Sequence, residues 1–211
     1  MHTKILKKII LLLFLCLSTL LVYPQSFNGS VIAGINTSQV SGDELSGFNK
    51  AGVIIGGGVS IPLSQKFDAG IEIVFIQKGS RKKADLDKGD YETYKMALSY
   101  AEVPIIFEYK ASGKLRLLAG PTFGVLVSSK EERYDLVSSL PFEKYEIGIA
   151  GGLSFAFVKN LSLQMRLTNS VLPIRKIGAN TKYFVSGQYN SGLSFTLKYT
   201  FNKSKTPGND G

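Results

Sequence analysis

Carboxylates and cations recur at alternate positions inside apolar segments of this chain, and their spacing limits the chemistry that they could do. Glu102 and Glu108 share one parity of the stretch SYAEVPIIFEYKASGKLRLLAGPTFGVLVSS. Paired carboxylates can hydrolyse glycosidic bonds when they lie within about 10 Å of each other, but six residues of extended strand span about 20 Å. The spacing therefore argues against an acid and a base that act together. The remaining role for Glu108 is an ion pair with a cation such as Lys114 or Arg116.

Other catalytic groups are scarce. The chain has one histidine, His2, and one cysteine, Cys16, and both lie in a leader that we expect to be removed. Without them a chain has no imidazole base, no thiolate nucleophile and no disulfide, and it lacks the usual zinc ligands. The sequence thus predicts a protein that is not an enzyme and that holds no metal and no cofactor.

The predicted leader occupies residues 1–25. Lys4, Lys7 and Lys8 precede an apolar run over residues 9–22, a pattern typical of a secretory signal peptide. The run is short for a membrane-spanning helix, so an uncleaved anchor is the weaker alternative, as is lipidation at Cys16. Export places the mature chain in the cell envelope, where nucleic acid is not an expected partner.

Apolar and polar residues alternate with a period of two in eight segments, the pattern of strands with one apolar face. Pro104 and Pro121 fall inside two of them, and because proline has no N–H to donate, they predict local bulges or an irregular seam. The predicted strands cover residues 27–37, 48–61, 67–79, 95–109, 114–128, 144–157, 161–174 and 188–201.

The links between these segments alternate in length. Barrels of the outer membrane have an even number of strands, short periplasmic turns and long outer loops. The sequence therefore predicts an all-β fold at residues 26–201, an eight-stranded antiparallel up-and-down transmembrane β-barrel in the outer membrane, with periplasmic termini and a disordered tail over residues 202–211. The short links are residues 62–66, 110–113 and 158–160, and the long ones are 38–47, 80–94, 129–143 and 175–187.

A soluble lipocalin-like barrel is the alternative, since it also has eight strands but buries its apolar face. Residue size favours the membrane barrel, because the polar face is rich in glycine and small residues that suit a narrow lumen, whereas the other face carries Phe, Ile, Leu and Val. Charges of both signs then point inward, and burying them unpaired would be costly. We expect a solvated or salt-bridged plug, with a gate or proton path as the alternative. The predicted lumen network is Glu72, Glu102, Glu108, Lys114, Arg116, Arg166 and Lys198, with Asp68, Lys78 and Glu146 as further inward charges.

A second candidate surface is the charged loop that begins SRKKADLDK. Arg81, Lys82 and Lys83 could bind lipopolysaccharide phosphates or a partner protein. The formal net charge of +9, which is +6 without the three lysines of the predicted leader, suits acidic headgroups. A solvated loop tip is the alternative.

Several segments resemble the PorT-like outer-membrane β-barrel family of Bacteroidota, a family of the porin type. They are AGIEIVFIQKGS, SYAEVPIIFEYK, LLAGPTFGVLVS and the closing SGLSFTLKYTF, and their most specific part is Tyr100, Glu102, Pro104 and Tyr109 followed by Ala119, Gly120 and Pro121. The resemblance implies an outer-membrane barrel. The family's namesake is associated with type IX secretion, while most members have no assigned role.

Three functions remain open on the sequence. The first is a structural or loop-mediated interaction role for a barrel with a largely plugged lumen. The second is a narrow channel for small solutes or ions, and the third is an accessory role in type IX secretion. The expected partners are outer-membrane lipid and lipopolysaccharide, the outer-membrane assembly machinery and an envelope protein.

Overall fold

The computed structural model describes residues 27–43, 45, 47–82, 84, 93–133, 140–176 and 187–201. Within these ranges the chain folds into strands, and it has no helix long and apolar enough to cross a bilayer. The strands are β1 (Asn28–Ser41), β2 (Lys50–Pro62), β3 (Phe67–Lys82), β4 (Tyr94–Lys110), β5 (Leu115–Arg133), β6 (Tyr145–Val158), β7 (Leu161–Ser170), β8 (Arg175–Lys176) and β9 (Gly187–Thr200).

Neighbouring strands pair antiparallel, and pairing between β1 and β9 closes the sheet. The barrel wall therefore has eight strands, and β8 is a two-residue ladder added to β9. This confirms the predicted eight-stranded antiparallel barrel. The predicted signal peptide (residues 1–25), the tail (residues 202–211) and Lys83 lie outside the described residues.

The period-two pattern places apolar side chains outside and polar ones inside. On β3, Ile73 is 68% exposed whereas the adjacent Glu72 is 2% exposed, and on β7, Leu167 is 51% exposed whereas Arg166 is 5% exposed. A water-soluble barrel of the lipocalin type would bury its apolar side chains in the lumen and expose its polar ones. The alternation therefore belongs to a lipid-facing exterior, and the lipocalin-like arrangement is wrong.

The three short turns and both ends of the barrel chain lie at one end, which we call the short-turn end; the opposite end is the long-loop end. Aromatic pairs mark the short-turn end. The rings of Phe67 and Tyr109 have centroids 5.1 Å apart, and those of Tyr199 and Phe201 are 5.2 Å apart. Such rings are enriched where a barrel crosses the membrane–water boundary.

The strand boundaries differ from the prediction mainly at the long-loop end. β3 and β5 continue to Lys82 and Arg133, because their ladders with β4 persist through residues whose outward side chains are charged instead of apolar. β7 ends at Ser170 instead of the predicted residue 174. Pro173 follows, and the chain then turns onto β9, where the amide of Ile174 donates to the carbonyl of Gln188 at 2.8 Å.

The prolines interrupt pairing without shifting the register. Pairs between β4 and β5 stop at Pro104 and Thr122 and resume at Phe107 and Ala119, while the register shift of this ladder lies between Ser99 and Tyr100. Of the two predicted outcomes, the irregular seam lies at the prolines, and the bulge lies elsewhere in this ladder. Beside the interruption, a Cβ on Gly120 would overlap the carbonyl oxygen of Ile105, so the close approach of these strands requires glycine.

Candidate functional site

At the short-turn end, directly facing residues carry like charges and the ion pairs run diagonally. Asp68 faces Glu108, and Lys110 faces Arg116. Nη1 of Arg116 lies 3.1 Å from Asp68 Oδ2 and 2.9 Å from Glu108 Oε2, and Lys110 Nζ lies 2.6 Å from Asp68 Oδ1. Like charges directly opposite are destabilising, and the diagonal pairs offset that cost. Glu108 thus contacts Arg116 as predicted, although its direct ladder partner is Leu118.

Two cations cross the lumen to the opposite wall. Arg166 on β7 donates to both carboxylate oxygens of Glu72 on β3, at 2.5 and 2.7 Å. These strands are four apart in the barrel order, which is the largest separation that eight strands allow. Lys198 on β9 lies 3.0 Å from Glu108 and 3.5 Å from Glu72. We call the connected set the short-turn network: Asp68, Glu72, Glu108, Lys110, Arg116, Arg166 and Lys198.

A second ion-pair set, nearer the middle of the barrel, is built around one lysine. Glu102 and Glu146 both pair in register with Gly124, so they flank the space that this glycine leaves. The ring of Tyr100 lies closest to that space, and Lys78 joins the two carboxylates, with Nζ 2.5 Å from Glu102 Oε2 and 2.7 Å from Glu146 Oε1. Lys78 is 1% exposed, and such a buried cation needs both carboxylates to offset its desolvation.

Apolar side chains fill the lumen towards the long-loop end. Tyr100 joins them to the lysine-centred set, since Asn190 donates to the Tyr100 hydroxyl at 3.3 Å and to Glu146 Oε2 at 2.6 Å. β4 and β9 are four strands apart, so this contact also crosses the lumen. We call these side chains the apolar cluster: Val40, Ile54, Val74, Ile76, Met96, Leu98, Tyr100 and Ile174, each at most 6% exposed.

The segment after β7 covers the apolar cluster. Ile174 enters the cluster, and its carbonyl accepts a hydrogen bond from the Glu143 amide at 2.7 Å. The next residue, Arg175, donates to Glu131 Oε2 at 2.6 Å and stacks on Phe142 with 3.8 Å between its guanidinium carbon and the ring centroid. A charge-assisted hydrogen bond and a cation–π contact therefore hold this segment at the mouth of the barrel.

A cavity of about 160 Å³ opens at the short-turn end. Its wall includes Arg116, Gln164 and Lys198, of which Arg116 and Lys198 belong to the short-turn network. No group of His, Cys, Asp and Glu side chains in the described ranges is arranged to hold a metal ion.

Six of the seven residues predicted for the lumen network lie in the two ion-pair sets. Lys114 does not: its side chain is exposed in the turn before β5, without an ion pair to any described residue. The physical reason is that β5 begins one residue later, so Lys114 never takes an inward strand position. Of the loop residues, Arg81 is exposed and Lys82 half-buried at the end of β3.

Sequence reasoning missed the apolar cluster and the residues that cover it. The segment IVFI over residues 73–76 is apolar at both parities, which indicates a strand with apolar neighbours on both faces. That signal would have identified Val74 and Ile76 as lumen residues. Arg175 and Glu131 lie in predicted long loops, where periodicity carries no information.

Solved structures similar to this chain include Ail, the attachment invasion locus protein of Yersinia pestis. The two sequences are 15% identical, the TM-score is 0.47, and the match covers 82% of this chain and 98% of Ail. Neisserial surface protein A is 14% identical with a TM-score of 0.48, covering 85% of this chain and 100% of that one. The outer membrane protein AlkL is 12% identical with a TM-score of 0.40, covering 84% and 92%.

The family of the chain is shown by its amino-acid sequence. No curated protein matches it significantly. A family model described as outer membrane protein beta-barrel domain matches residues 24–176, which is most of the barrel. The chain therefore belongs to the outer membrane protein beta-barrel domain family.

Proposed function

We propose that this outer-membrane barrel is closed and non-enzymatic, and that it acts structurally or through its long loops. The observation that carries the proposal is the bidentate Arg166–Glu72 contact between opposite walls, with the apolar cluster beyond it. An eight-stranded barrel has a lumen just wide enough for side chains to fill. Ion pairs and apolar side chains that span this width leave no continuous path for a solute.

The proposal includes an orientation and a set of partners. Short turns and both termini face the periplasm, and the long loops face outward, as in barrels of known topology. Lipid covers the exposed apolar face, and lipopolysaccharide and an envelope protein are partners at the outer end. The assembly machinery recognises Tyr199 and Phe201 as an internal aromatic signal. Membership of the PorT-like group of Bacteroidota rests on the segments quoted above.

Conductance in planar bilayers tests the closed lumen. The wild type is expected to show no steady conductance. A variant that combines Glu72→Ala, Arg166→Ala, Met96→Ala and Ile174→Ala removes the crossing pair and part of the apolar cluster, and it should conduct, which shows that the assay detects an open lumen. A matched control truncates two lipid-facing side chains, Ile73→Ala and Met165→Ala, and should stay silent.

A narrow channel is the second candidate, and the cavity at the short-turn mouth favours it because charged side chains of both signs, Asp68, Glu108, Arg116 and Lys198, line this entrance. Steady conductance of the wild type that falls in Arg116→Ala would establish the channel and overturn the closed barrel. An accessory role in type IX secretion is a third candidate, supported by the PorT-like resemblance alone. It requires that deleting the gene abolishes export of secreted cargo.

A further inference from the structure

Three strands extend past the apolar exterior at the long-loop end, and their outward face is charged. Arg81 on β3 pairs in register with Lys95 on β4, and Lys95 pairs with Glu132 on β5. Lys130 lies two positions earlier on β5, on the same face. The side chains of Lys95 and Lys130 are 48% and 72% exposed. We call Arg81, Lys95, Lys130 and Glu132 the rim patch.

The rim patch has three cations and one carboxylate. Glu132 lies 2.6 Å from Lys130 Nζ and 3.7 Å from Lys95 Nζ, so its charge is already shared between two lysines. Arg81 forms no ion pair with any residue that the structure describes. Two cations that face each other directly across a ladder repel, and an anion placed between Arg81 and Lys95 would relieve this repulsion.

The height of the rim patch indicates which anion is available. Arg81 follows Phe67 by 14 positions on β3, and both have the outward parity of Ile73. Fourteen residues of a strand tilted by about 40° rise about 35 Å along the barrel axis. The hydrocarbon layer is about 30 Å thick, and the headgroups add about 5 to 8 Å on each side. With the Phe67–Tyr109 pair at one boundary, Arg81 and Lys95 reach the headgroup layer at the other.

We propose that the rim patch binds a lipid phosphate of the outer leaflet, held between Arg81 and Lys95. The patch lies on the lipid-facing side of the barrel, so a lipid headgroup is its nearest source of phosphate. The proposal rests on the proposed function in one respect, the outward orientation of the long loops. It also changes the sequence interpretation, since the site is not the linear run Arg81, Lys82 and Lys83: Lys82 has the inward parity, and the second cation comes from the neighbouring strand.

Lipid binding to the full-length protein in detergent micelles, measured by native mass spectrometry, tests this site. The probes are bisphosphorylated lipid A and the same lipid without phosphates. A cation near an anionic surface contributes about 1 kcal/mol, or about fivefold in affinity, so Arg81→Gln with Lys95→Gln should weaken binding of the phosphorylated probe about 25-fold. The control, Lys66→Gln with Lys114→Gln, makes the same charge change at the short-turn end and should bind like the wild type.

Four results would overturn the proposal. In the first, the wild type binds both probes with equal affinity, and in the second, the two double variants lose equal affinity for the phosphorylated probe. In the third, the Arg81 and Lys95 variant loses no affinity, and in the fourth, inorganic phosphate fully displaces the phosphorylated probe. The first result is expected if the acidic residues of the adjoining loop, Asp85, Asp87, Asp90 and Glu92, neutralise the patch. Heat-modifiable gel mobility verifies that each variant is folded.

Different results contradict the proposal of a closed lumen and the proposal of the rim patch. A wild type that conducts ions but prefers the phosphorylated probe contradicts only the closed barrel. A silent wild type without that preference contradicts only the rim patch.

Discussion

Replacing Glu72 with glutamine isolates the contact that closes the lumen. The change keeps the size of the side chain and removes the charge to which Arg166 donates at 2.5 and 2.7 Å. In the variant, the acceptors that remain to Arg166 in the described part of the chain are neutral, namely Gln164 Oε1, at 2.7 Å, and the amide oxygen of the new glutamine. Arg166 is 5% exposed, so its charge stays buried without a carboxylate.

The expected loss of unfolding free energy follows from that burial. Removing one partner of a buried ion pair costs about 3–5 kcal/mol, because the remaining charge is left uncompensated. Lys198 also lies near Glu72 but keeps Glu108 at 3.0 Å, so the second cation adds little. Glutamine retains one acceptor oxygen for Arg166. We therefore expect the low end of the range, about 3 kcal/mol.

Urea unfolding of the refolded barrel in micelles measures this loss. Tyrosine fluorescence can report the transition, since the chain has 10 tyrosines and no tryptophan, and heat-modifiable gel mobility gives an independent signal. The matched control is Glu143→Gln, which breaks an exposed pair with Lys176 at 3.0 Å and should change stability little. Adding Arg166→Met to Glu72→Gln removes both charges, so the double variant should recover part of the loss.

Two results would refute the reasoning. If Glu72→Gln loses no more stability than Glu143→Gln, the Arg166 charge is solvated and does not close the lumen. If the double variant loses the sum of the two single losses, Glu72 and Arg166 are not coupled, and the contact does not stabilise the barrel.

Two further substitutions test the wall of the barrel. Gly120→Ala places a methyl group on the carbonyl of Ile105 and should lower the refolding yield measured on heat-modifiable gels. The control, Gly113→Ala, lies in a turn with no atom within 4 Å of the added Cβ and should refold like the wild type. Equal yields of the two variants would contradict the close approach of the strands at Gly120. Ile73→Arg puts a charge on the lipid face and should cost about 2–4 kcal/mol of unfolding free energy in lipid vesicles if Ile73 lies near the midplane. The control, Ile73→Leu, should change the unfolding free energy little. An arginine that leaves the unfolding free energy unchanged would contradict a lipid-facing position.

The barrel wall could be predicted from the sequence because it depends on local patterns. Alternation assigns each side chain to a face, and turn residues separate the strands, so the existence of all eight wall strands and their facing followed from neighbouring residues. The ends of the strands were less predictable. At Arg81, Lys95 and Glu132 the outward residues become charged, and periodicity of apolar residues no longer shows that pairing continues.

The contacts inside the lumen could not be predicted in the same way, because they depend on which strands face each other across the barrel. Glu72 and Arg166 are 94 positions apart, and only closure of the barrel with its register brings them together. Parity placed both residues inside but did not pair them. Lys114 shows the opposite failure: its parity was suitable, but β5 begins one residue after the expected start of the strand.

The two kinds of lumen filling constrain the barrel differently, and β3 carries both. Its inward positions hold Asp68 and Glu72 towards the short turns, then Val74 and Ile76 in the apolar cluster. Apolar neighbours tolerate changes of shape if volume is kept, whereas the bidentate contact of Glu72 requires Arg166 at one position and angle. A slip of one residue would also turn Glu72 towards lipid. The ion pairs therefore select the register of the barrel, and the apolar cluster completes its closure.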